Sequence, residues 1–115
     1  MNDPILGLLG LSARAGNLVF GAACAEEAIK HGRGSLLVIA RDAGENTKRQ
    51  MRVLSQRSQI PTITYGDKFS LGKSTGKTEK AVLLLTDANM ANAILKRMDA
   101  CEKQAETEVH HGEIE

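Results

Sequence analysis

The stretch GNLVFGAACAEEAIKHGRG, residues 16–34, changes from a strand pattern to a helical pattern at Gly21. The apolar run NLVF before this glycine is typical of a short strand. After it, alanines and an isoleucine recur at helical spacing until Gly32 ends the pattern. The start of a helix presents unpaired N–H groups and the positive end of the helix dipole, which suits a phosphate. The stretch predicts an anion site at the amides of Gly21, Ala22 and Ala23, although Gly21 can equally serve only to turn the chain.

Strand and helix patterns alternate along the rest of the chain. The further strands are short apolar runs at residues 35–40 (SLLVIA), 62–65 (TITY) and 81–85 (AVLLL). The further helices follow Asp3 and Pro4, run from about Thr47 to Ser58, and follow Asp87. The glycine-marked segment 66–80 holds at most a short helix. Strands separated by helices predict an α/β fold, an α/β/α sandwich with a small, largely parallel sheet.

Length and composition fit one cytoplasmic domain. A chain of 115 residues is long enough for a single hydrophobic core. Its two cysteines, Cys24 and Cys101, form no CxxC pair and no disulfide framework, which favours a reducing compartment. The N-terminal apolar run carries Asp3 and no basic residue before it, unlike a signal peptide, and every apolar run is far shorter than the ~20 residues of a membrane helix. We therefore expect a soluble cytoplasmic domain over residues 1–99, with no membrane partner.

Charge divides the chain into a basic body and an acidic end. The first 98 residues hold 14 of the 15 lysines and arginines but 8 of the 14 acidic residues. Basic residues are densest between Lys30 and Lys80, a distribution that suits a polyanion but is equally compatible with an ordinary solvated surface. Residues 100–115 are acidic and poor in large apolar groups, which predicts a flexible tail.

Three features invite an enzymatic interpretation, and each weakens on inspection. The run GKSTGKT, residues 72–78, resembles the end of a P-loop, but its glycine spacing is wrong and a strand pattern follows it instead of a helix. Cys24, at a helix start, has no histidine base near it in sequence, so we expect a small buried cysteine beside alanines. The pair His110 and His111 lies in the acidic tail. The sequence thus predicts no catalytic residue, no metal site and no cofactor.

Two motifs carry a resemblance to a known family. The segments ARDAGENTK, residues 40–48, and LGKSTGK, residues 71–77, fit the patterns A-x-D-A-x-x-N-T-K and L-G-x-x-x-G-K. With the neighbouring strands and helices they resemble the L7Ae/L30e family of ribosomal and kink-turn RNA-binding proteins, most of all its bacterial YlxQ-type branch. The resemblance extends over about Ile5–Met98. It implies a three-layer α/β/α sandwich around a four-stranded mixed sheet with one antiparallel strand.

The resemblance also implies an RNA site at the start of the second helix, the loop after the buried strand and the LGxxxG loop. Together with nearby basic residues, the expected RNA contacts are Gly21, Ala22, Ala23, His31, Lys48, Arg49, Lys68, Gly72, Lys73, Gly76 and Lys77. Well-known kink-turn binders carry Asn, Glu and Lys at the helix start, where this chain has Ala23, Cys24 and Glu27. Three polar contacts are therefore missing, and His31 replaces an arginine that is common in the family.

Two functions from different classes follow. The first is a monomeric, non-enzymatic RNA-binding protein of ribosomal type, whose partner is structured RNA, either ribosomal or another kink-turn RNA, or the ribosome itself. Backbone amides and lysines would make the contacts, since the chain has too few aromatic residues for a base-stacking platform. The second is a protein-interaction or ribosome-assembly module on the same fold that has lost kink-turn binding, which the altered helix start favours.

Overall fold

The computed structural model describes residues 3–99, which form five helices and four strands. The helices are α1 (Pro4–Arg14), α2 (Ala22–Lys30), α3 (Glu45–Ser58), α4 (Lys68–Ser74) and α5 (residues 88–99). The strands are β1 (Leu18–Phe20), β2 (Leu36–Ile39), β3 (Thr62–Thr64) and β4 (Val82–Leu85). Each predicted helix and strand is confirmed, and the predicted acidic tail at residues 100–115 lies outside the described residues.

The strands form one mixed sheet in the order β1-β4-β2-β3. β1, β2 and β3 run in the same direction, and β4 runs against both of its neighbours. The expected mixed sheet with a single antiparallel strand is confirmed. Because this reversed strand lies between β1 and β2, the neighbouring strands of residues 3–99 pair mostly antiparallel, with β2 and β3 as the parallel pair.

Helices cover both faces of the sheet. Every residue of β2 and β4 is buried, although successive side chains of a strand point to opposite faces. α1 packs against α4, whereas α2 packs against α3 and against the strands β1 and β4. The fold is therefore the expected α/β/α sandwich, with a core made largely of aliphatic side chains.

Carboxylates cap the first and last helices, as the sequence predicts. Asp3 Oδ1 accepts hydrogen bonds from the N–H groups of Ile5 and Leu6 at 2.9 and 3.0 Å, which satisfies two free donors at the start of α1. Asp3 Oδ2 accepts a 2.6 Å hydrogen bond from the hydroxyl of Tyr65, just beyond β3. Asp87 Oδ2 accepts from the N–H of Met90 at 3.1 Å and caps α5 in the same way.

α3 begins at Glu45, two residues before the predicted start near Thr47. Gly44 is its N-cap in an extended conformation, and the carboxylate of Glu45 favours the first turn because it meets the positive end of the helix dipole. As expected, Met51 is buried and Leu54 is half-buried. None of the helices within residues 3–99 combines the length and the apolar character needed to span a lipid bilayer.

The glycine-marked segment contains α4, which starts with a capping box. The N–H of Ser70 donates to Asp67 Oδ1 at 2.7 Å, and the N–H of Asp67 donates to Ser70 Oγ at 3.1 Å. The hydrogen bonds from Ser70 hold the pKa of Asp67 below its usual value. Gly72 is buried inside this helix, where a side chain would collide with the carbonyl group of Thr78.

Gly72→Ala is expected to destabilise the protein by about 1–3 kcal/mol, because the added methyl group overlaps a backbone carbonyl and the turn after α4 must move. Gly7→Ala in α1 is the matched control, since no atom lies within 4 Å of the position of its added Cβ. The control should gain about 0.5–1 kcal/mol from its higher helix propensity. Urea unfolding followed by circular dichroism measures both changes, and two changes of the same sign and size would contradict this packing.

Candidate nucleic-acid interface

Strand direction gathers four connections at one edge of the sheet. β1, β2 and β3 end at this edge, and β4, which runs the other way, begins there. The segments that link β1 to α2, β2 to α3, β3 to α4 and α4 to β4 therefore meet. Ligand sites of α/β proteins collect at such carboxyl ends of strands. We call this region the loop edge, and it consists of residues 20–24, 40–44, 65–70 and 73–81.

Backbone hydrogen bonds join the segments of the loop edge. The N–H of Gly21 donates to the carbonyl oxygen of Val82 at 2.9 Å, which fixes the start of α2 beside the start of β4. The N–H of Arg41, just after β2, donates to the carbonyl oxygen of Gly66, just after β3, at 2.8 Å. The main chain therefore holds the loops in place.

Lys68 lies where three of these segments meet. Its N–H donates to Asp42 Oδ1 at 2.9 Å, and its carbonyl oxygen accepts a hydrogen bond from the N–H of Lys80 at 3.0 Å. The residue itself is half-buried. Its backbone thus connects the β2–α3, β3–α4 and α4–β4 segments, a structural role that the sequence motif did not reveal.

The start of α2 presents free amides. Gly21 has φ 91° and ψ 156°, a backbone conformation that is essentially restricted to glycine. Within the described residues, no side chain caps this helix and no acidic residue occupies its first turn. Since the first N–H groups of a helix have no partner inside it, the amides of Ala22, Ala23 and Cys24 are available to a ligand. Their arrangement suits an anion. The expected contribution of the Gly21 amide is wrong, because this N–H donates to Val82.

Lys77 approaches the start of α2 from the turn after α4. Its Nζ lies 5.2 Å from the ring centroid of Phe20, the residue immediately before Gly21. The N–H of Lys77 donates to the carbonyl oxygen of Gly72 at 2.8 Å and closes that turn. An ammonium group and a set of free amides therefore share one part of the loop edge, which raises its attraction for a phosphate.

Two more cations lie over aromatic rings along the loop edge. Lys73 Nζ is 5.7 Å from the ring centroid of Phe69, and the guanidinium carbon of Arg41 is 5.6 Å from that of Tyr65. Sequence reasoning missed Arg41. Its position directly after a buried strand could have indicated this residue, because ligand-contacting residues of α/β folds collect there.

Positive charge exceeds negative charge at the loop edge. Its cations are Arg41, Lys68, Lys73, Lys77 and Lys80, and its carboxylates are Asp42, Asp67 and Glu79. Asp42 and Asp67 already accept backbone N–H hydrogen bonds, and those from Ser70 lower the pKa of Asp67. Within residues 3–99, no group of three or more His, Cys, Asp or Glu side chains could hold a metal ion.

Two residues expected at the interface do not lie on its surface. His31 is the C-cap of α2, at the end of this helix about 13 Å from its start, and its Nδ1 is 2.9 Å from the carbonyl oxygen of Glu27. Gly72 is buried within α4, so the LGxxxG segment is a helix end and a turn, not an open loop. Gly76 is exposed in that turn with φ +76°.

Lys48 and Arg49 lie on α3 with different surroundings. Lys48 Nζ is 3.7 Å from Glu45 Oε2, and its side chain is only 18% exposed. Arg49 is exposed and lines a groove between α3 and α2, together with Glu26. Within residues 3–99, neither side chain shares a hydrogen bond or an ion pair with the lysines that follow β3.

The expected burial of Cys24 is wrong, because the structure exposes this residue. α2 buries the stripe formed by Ala25, Ala28 and Ile29, and Cys24 lies off that stripe. Glu27 is also exposed, with its carboxylate 3.4 Å from the ring of His31. The surface of α2 next to the free amides therefore carries a thiol and a carboxylate.

Comparison with known proteins identifies related sequences. The family model of the ribosomal protein L7Ae/L30e/S12e/Gadd45 family matches residues 3–96. The chain is 29% identical over 92 residues to the RNA-binding protein YlxQ of Bacillus subtilis, a match that covers 80% of this chain and 92% of that protein. It is 33% identical over 79 residues to the large ribosomal subunit protein eL30 of Methanococcus maripaludis, which covers 66% of this chain and 74% of that protein.

Solved structures show the same fold. A protein of unknown function from Bacillus halodurans C is 32% identical and superposes with a TM-score of 0.83, over 85% of this chain and 99% of that one. The 15.5kD RNA binding protein of Giardia lamblia superposes with a TM-score of 0.72 over 87% of this chain and 92% of that one. At 20% identity, the second likeness concerns the fold alone.

Gly21→Ser and Gly44→Ser make the same change at the N-cap positions of α2 and α3. Serine is a better N-cap than glycine by a few tenths of a kcal/mol, so Gly44→Ser, at φ −62°, should be neutral or slightly stabilising. Gly21→Ser should instead cost about 1–3 kcal/mol, because a side chain is strained at φ 91° and ψ 156° although the space around it is open. Urea unfolding measures both effects: a shift of the midpoint with an unchanged m-value reports a change in the free energy of unfolding. Equal responses would show that Gly21 is not conformationally restricted.

Proposed function

Because the chain belongs to the ribosomal protein L7Ae/L30e/S12e/Gadd45 family, we propose that it is a non-enzymatic, ribosomal-type RNA-binding protein. Residues 1–99 form the binding domain, which acts as a cytoplasmic monomer, and residues 100–115 form a separate acidic tail. Its partner is structured RNA, ribosomal or of the kink-turn type, or the ribosome that contains such RNA. RNA-binding protein YlxQ and ribosomal protein eL30 are relatives that support this assignment.

The observation that carries the proposal is the pairing of free α2 amides with lysines at the loop edge. Phosphates accept hydrogen bonds from backbone N–H groups and are attracted by ammonium groups, and neither contact depends on base sequence. Lys77 lies over Phe20, one residue before Gly21, and Lys68 and Lys73 extend the positive surface along α4. An RNA whose backbone bends can bring several phosphates to these groups at once.

The arrangement of Cys24 and His31 on α2 supports a binding role and not thiol catalysis. Cys24 and His31 are two helical turns apart along α2, and His31 Nδ1 already faces the backbone and carboxylate of Glu27. A thiol nucleophile needs a base within hydrogen-bond reach, which this arrangement does not supply. This geometry favours a binding protein over a thiol enzyme.

We further propose that the preferred RNA is a kink-turn, recognised through its bent backbone more than through its bases. The chain has Ala23, Cys24 and Glu27 where well-known kink-turn binders carry base-contacting and phosphate-contacting side chains. Loss of such contacts weakens base readout, whereas amides and lysines can still follow the shape of the backbone. The same substitutions favour the second candidate, an assembly or protein-interaction module that no longer binds a kink-turn.

Neutralising Lys68, Lys73 or Lys77 with glutamine should weaken binding to a synthetic kink-turn hairpin and reduce its salt dependence. Each phosphate contact that is lost lowers the slope of log K against log salt concentration by about 0.7–0.9. Lys96→Gln, at an exposed position of α5, is the charge-matched control and should leave the slope unchanged. Fluorescence anisotropy of labelled RNA at four salt concentrations measures the slopes. A flat salt response of the unaltered protein would contradict the phosphate contacts.

A matched pair of hairpins tests the kink-turn itself. One hairpin carries the tandem G·A pairs, and the other has them replaced by Watson–Crick pairs so that the backbone stays straight. We expect tighter binding of the first at equal salt. Equal binding of both hairpins would show that the protein binds structured RNA without a preference for the kink-turn. Binding of neither hairpin would favour the assembly module.

A further inference from the structure

We propose that Phe69 is a stacking platform for one unpaired RNA base at the loop edge. This inference rests on the proposed RNA-binding function and extends it from phosphate contacts to a base contact. The chain has two Phe, one Tyr and no Trp, too few to form a platform if they are scattered. The fold instead brings all three to the loop edge, with Phe20 before α2, Tyr65 after β3 and Phe69 in the first turn of α4.

Phe69 differs from the other two rings in having no role in the core. Phe20 and Tyr65 are half-buried and pack against the hydrophobic core, and the hydroxyl of Tyr65 donates to Asp3. Phe69 is 63% exposed, more than the other exposed large hydrophobic side chains among residues 3–99. Folding therefore leaves most of this apolar surface in water, and a ligand can gain from covering it.

Local hydrogen bonds hold the backbone that carries the ring in a defined place. Phe69 lies between Asp67 and Ser70, the two residues of the capping box, and directly after Lys68, whose backbone joins two other segments of the loop edge. Lys73, one helical turn later, places its Nζ 5.7 Å from the ring centroid. The ammonium lies over the ring, and the ring remains mostly exposed, which leaves surface for a flat group to stack.

The neighbours of the ring identify the chemistry of its ligand. Lys73 lies over the aromatic ring and Lys68 precedes the ring in the chain, so the fitting partner combines a flat, stackable group with negative charge. A nucleotide with an unpaired base has both, since its base stacks on the ring while its phosphates meet the lysines. A fully paired duplex offers phosphates but no free base face. Phe69 should therefore favour bulged or looped RNA.

Phe69→Trp allows base stacking to be followed by tryptophan fluorescence, because the chain has no other tryptophan. Tryptophan keeps an aromatic face, and its emission should be quenched when a base of the bulged kink-turn hairpin stacks on it. Leu11→Trp is the matched control, since Leu11 is 48% exposed on α1. The control should bind the hairpin without quenching, and a paired duplex of equal length should quench neither variant at equal occupancy.

Affinity measurements separate stacking from charge. Phe69→Ala should weaken binding of the bulged hairpin roughly 5- to 150-fold, the range for losing one stacked base, and should leave the salt slope unchanged because no charge is removed. Phe69→Leu keeps apolar bulk without a π face and should bind nearly as weakly as the alanine variant, whereas Phe69→Trp should retain affinity. Circular dichroism of all variants checks that the fold is unaffected, as expected for a side chain outside the core.

The possible results distinguish this inference from the function on which it rests. If the hairpin binds with a normal salt slope while Phe69→Trp is not quenched and Phe69→Ala binds normally, RNA binding stands and the stacking platform is overturned. If the unaltered protein binds no RNA at low salt, the proposed function fails and the platform fails with it. Loss of affinity in Phe69→Ala together with rescue and quenching in Phe69→Trp supports the platform.

Discussion

The fold depends on the antiparallel strand β4, which lies between β1 and β2. The strand pairs on both sides: Leu84, for example, lies opposite Val19 of β1 and Leu37 of β2. The four residues of β4 are all buried. Hydrogen bonds on both sides of one apolar strand fix the direction of the whole sheet. As a result, three strands end and one begins at the same edge, and the connecting segments that bear Gly21, Arg41, Lys68 and Lys77 meet there.

Main-chain hydrogen bonds join the segments of the loop edge. Bonds from Gly21 to Val82 and from Arg41 to Gly66 lock the segments together, and a backbone bond and the Asp42 carboxylate anchor Lys68. Two of the three carboxylates there, Asp42 and Asp67, accept backbone N–H hydrogen bonds, while Lys73, Lys77 and Arg41 lie over aromatic rings. A surface of this kind favours a polyanion because its five cations outnumber its three carboxylates.

Local patterns predicted the elements correctly because they depend on short-range physics. Asp3 and Asp87 cap helices through hydrogen bonds that span three residues or fewer, and the apolar runs of β2 and β4 identify buried strands without knowledge of their partners. The burial expected for Cys24 is wrong because exposure depends on long-range packing. Whether a residue next to a buried helical stripe faces α3, the sheet or solvent depends on how α2 is rotated against its neighbours, which the local sequence does not specify.

Local sequence was enough to predict the order of helices and strands, the basic character of the body and the family motifs, because these follow from neighbouring residues. Long-range packing decided that β4 is inserted between β1 and β2, that Arg41 lies at the loop edge with the lysines, that Gly72 is buried and that His31 lies at the far end of α2. It also decided that Phe69 is exposed beside Lys73. Such juxtapositions arise from pairing between segments far apart in the chain, which no local pattern encodes.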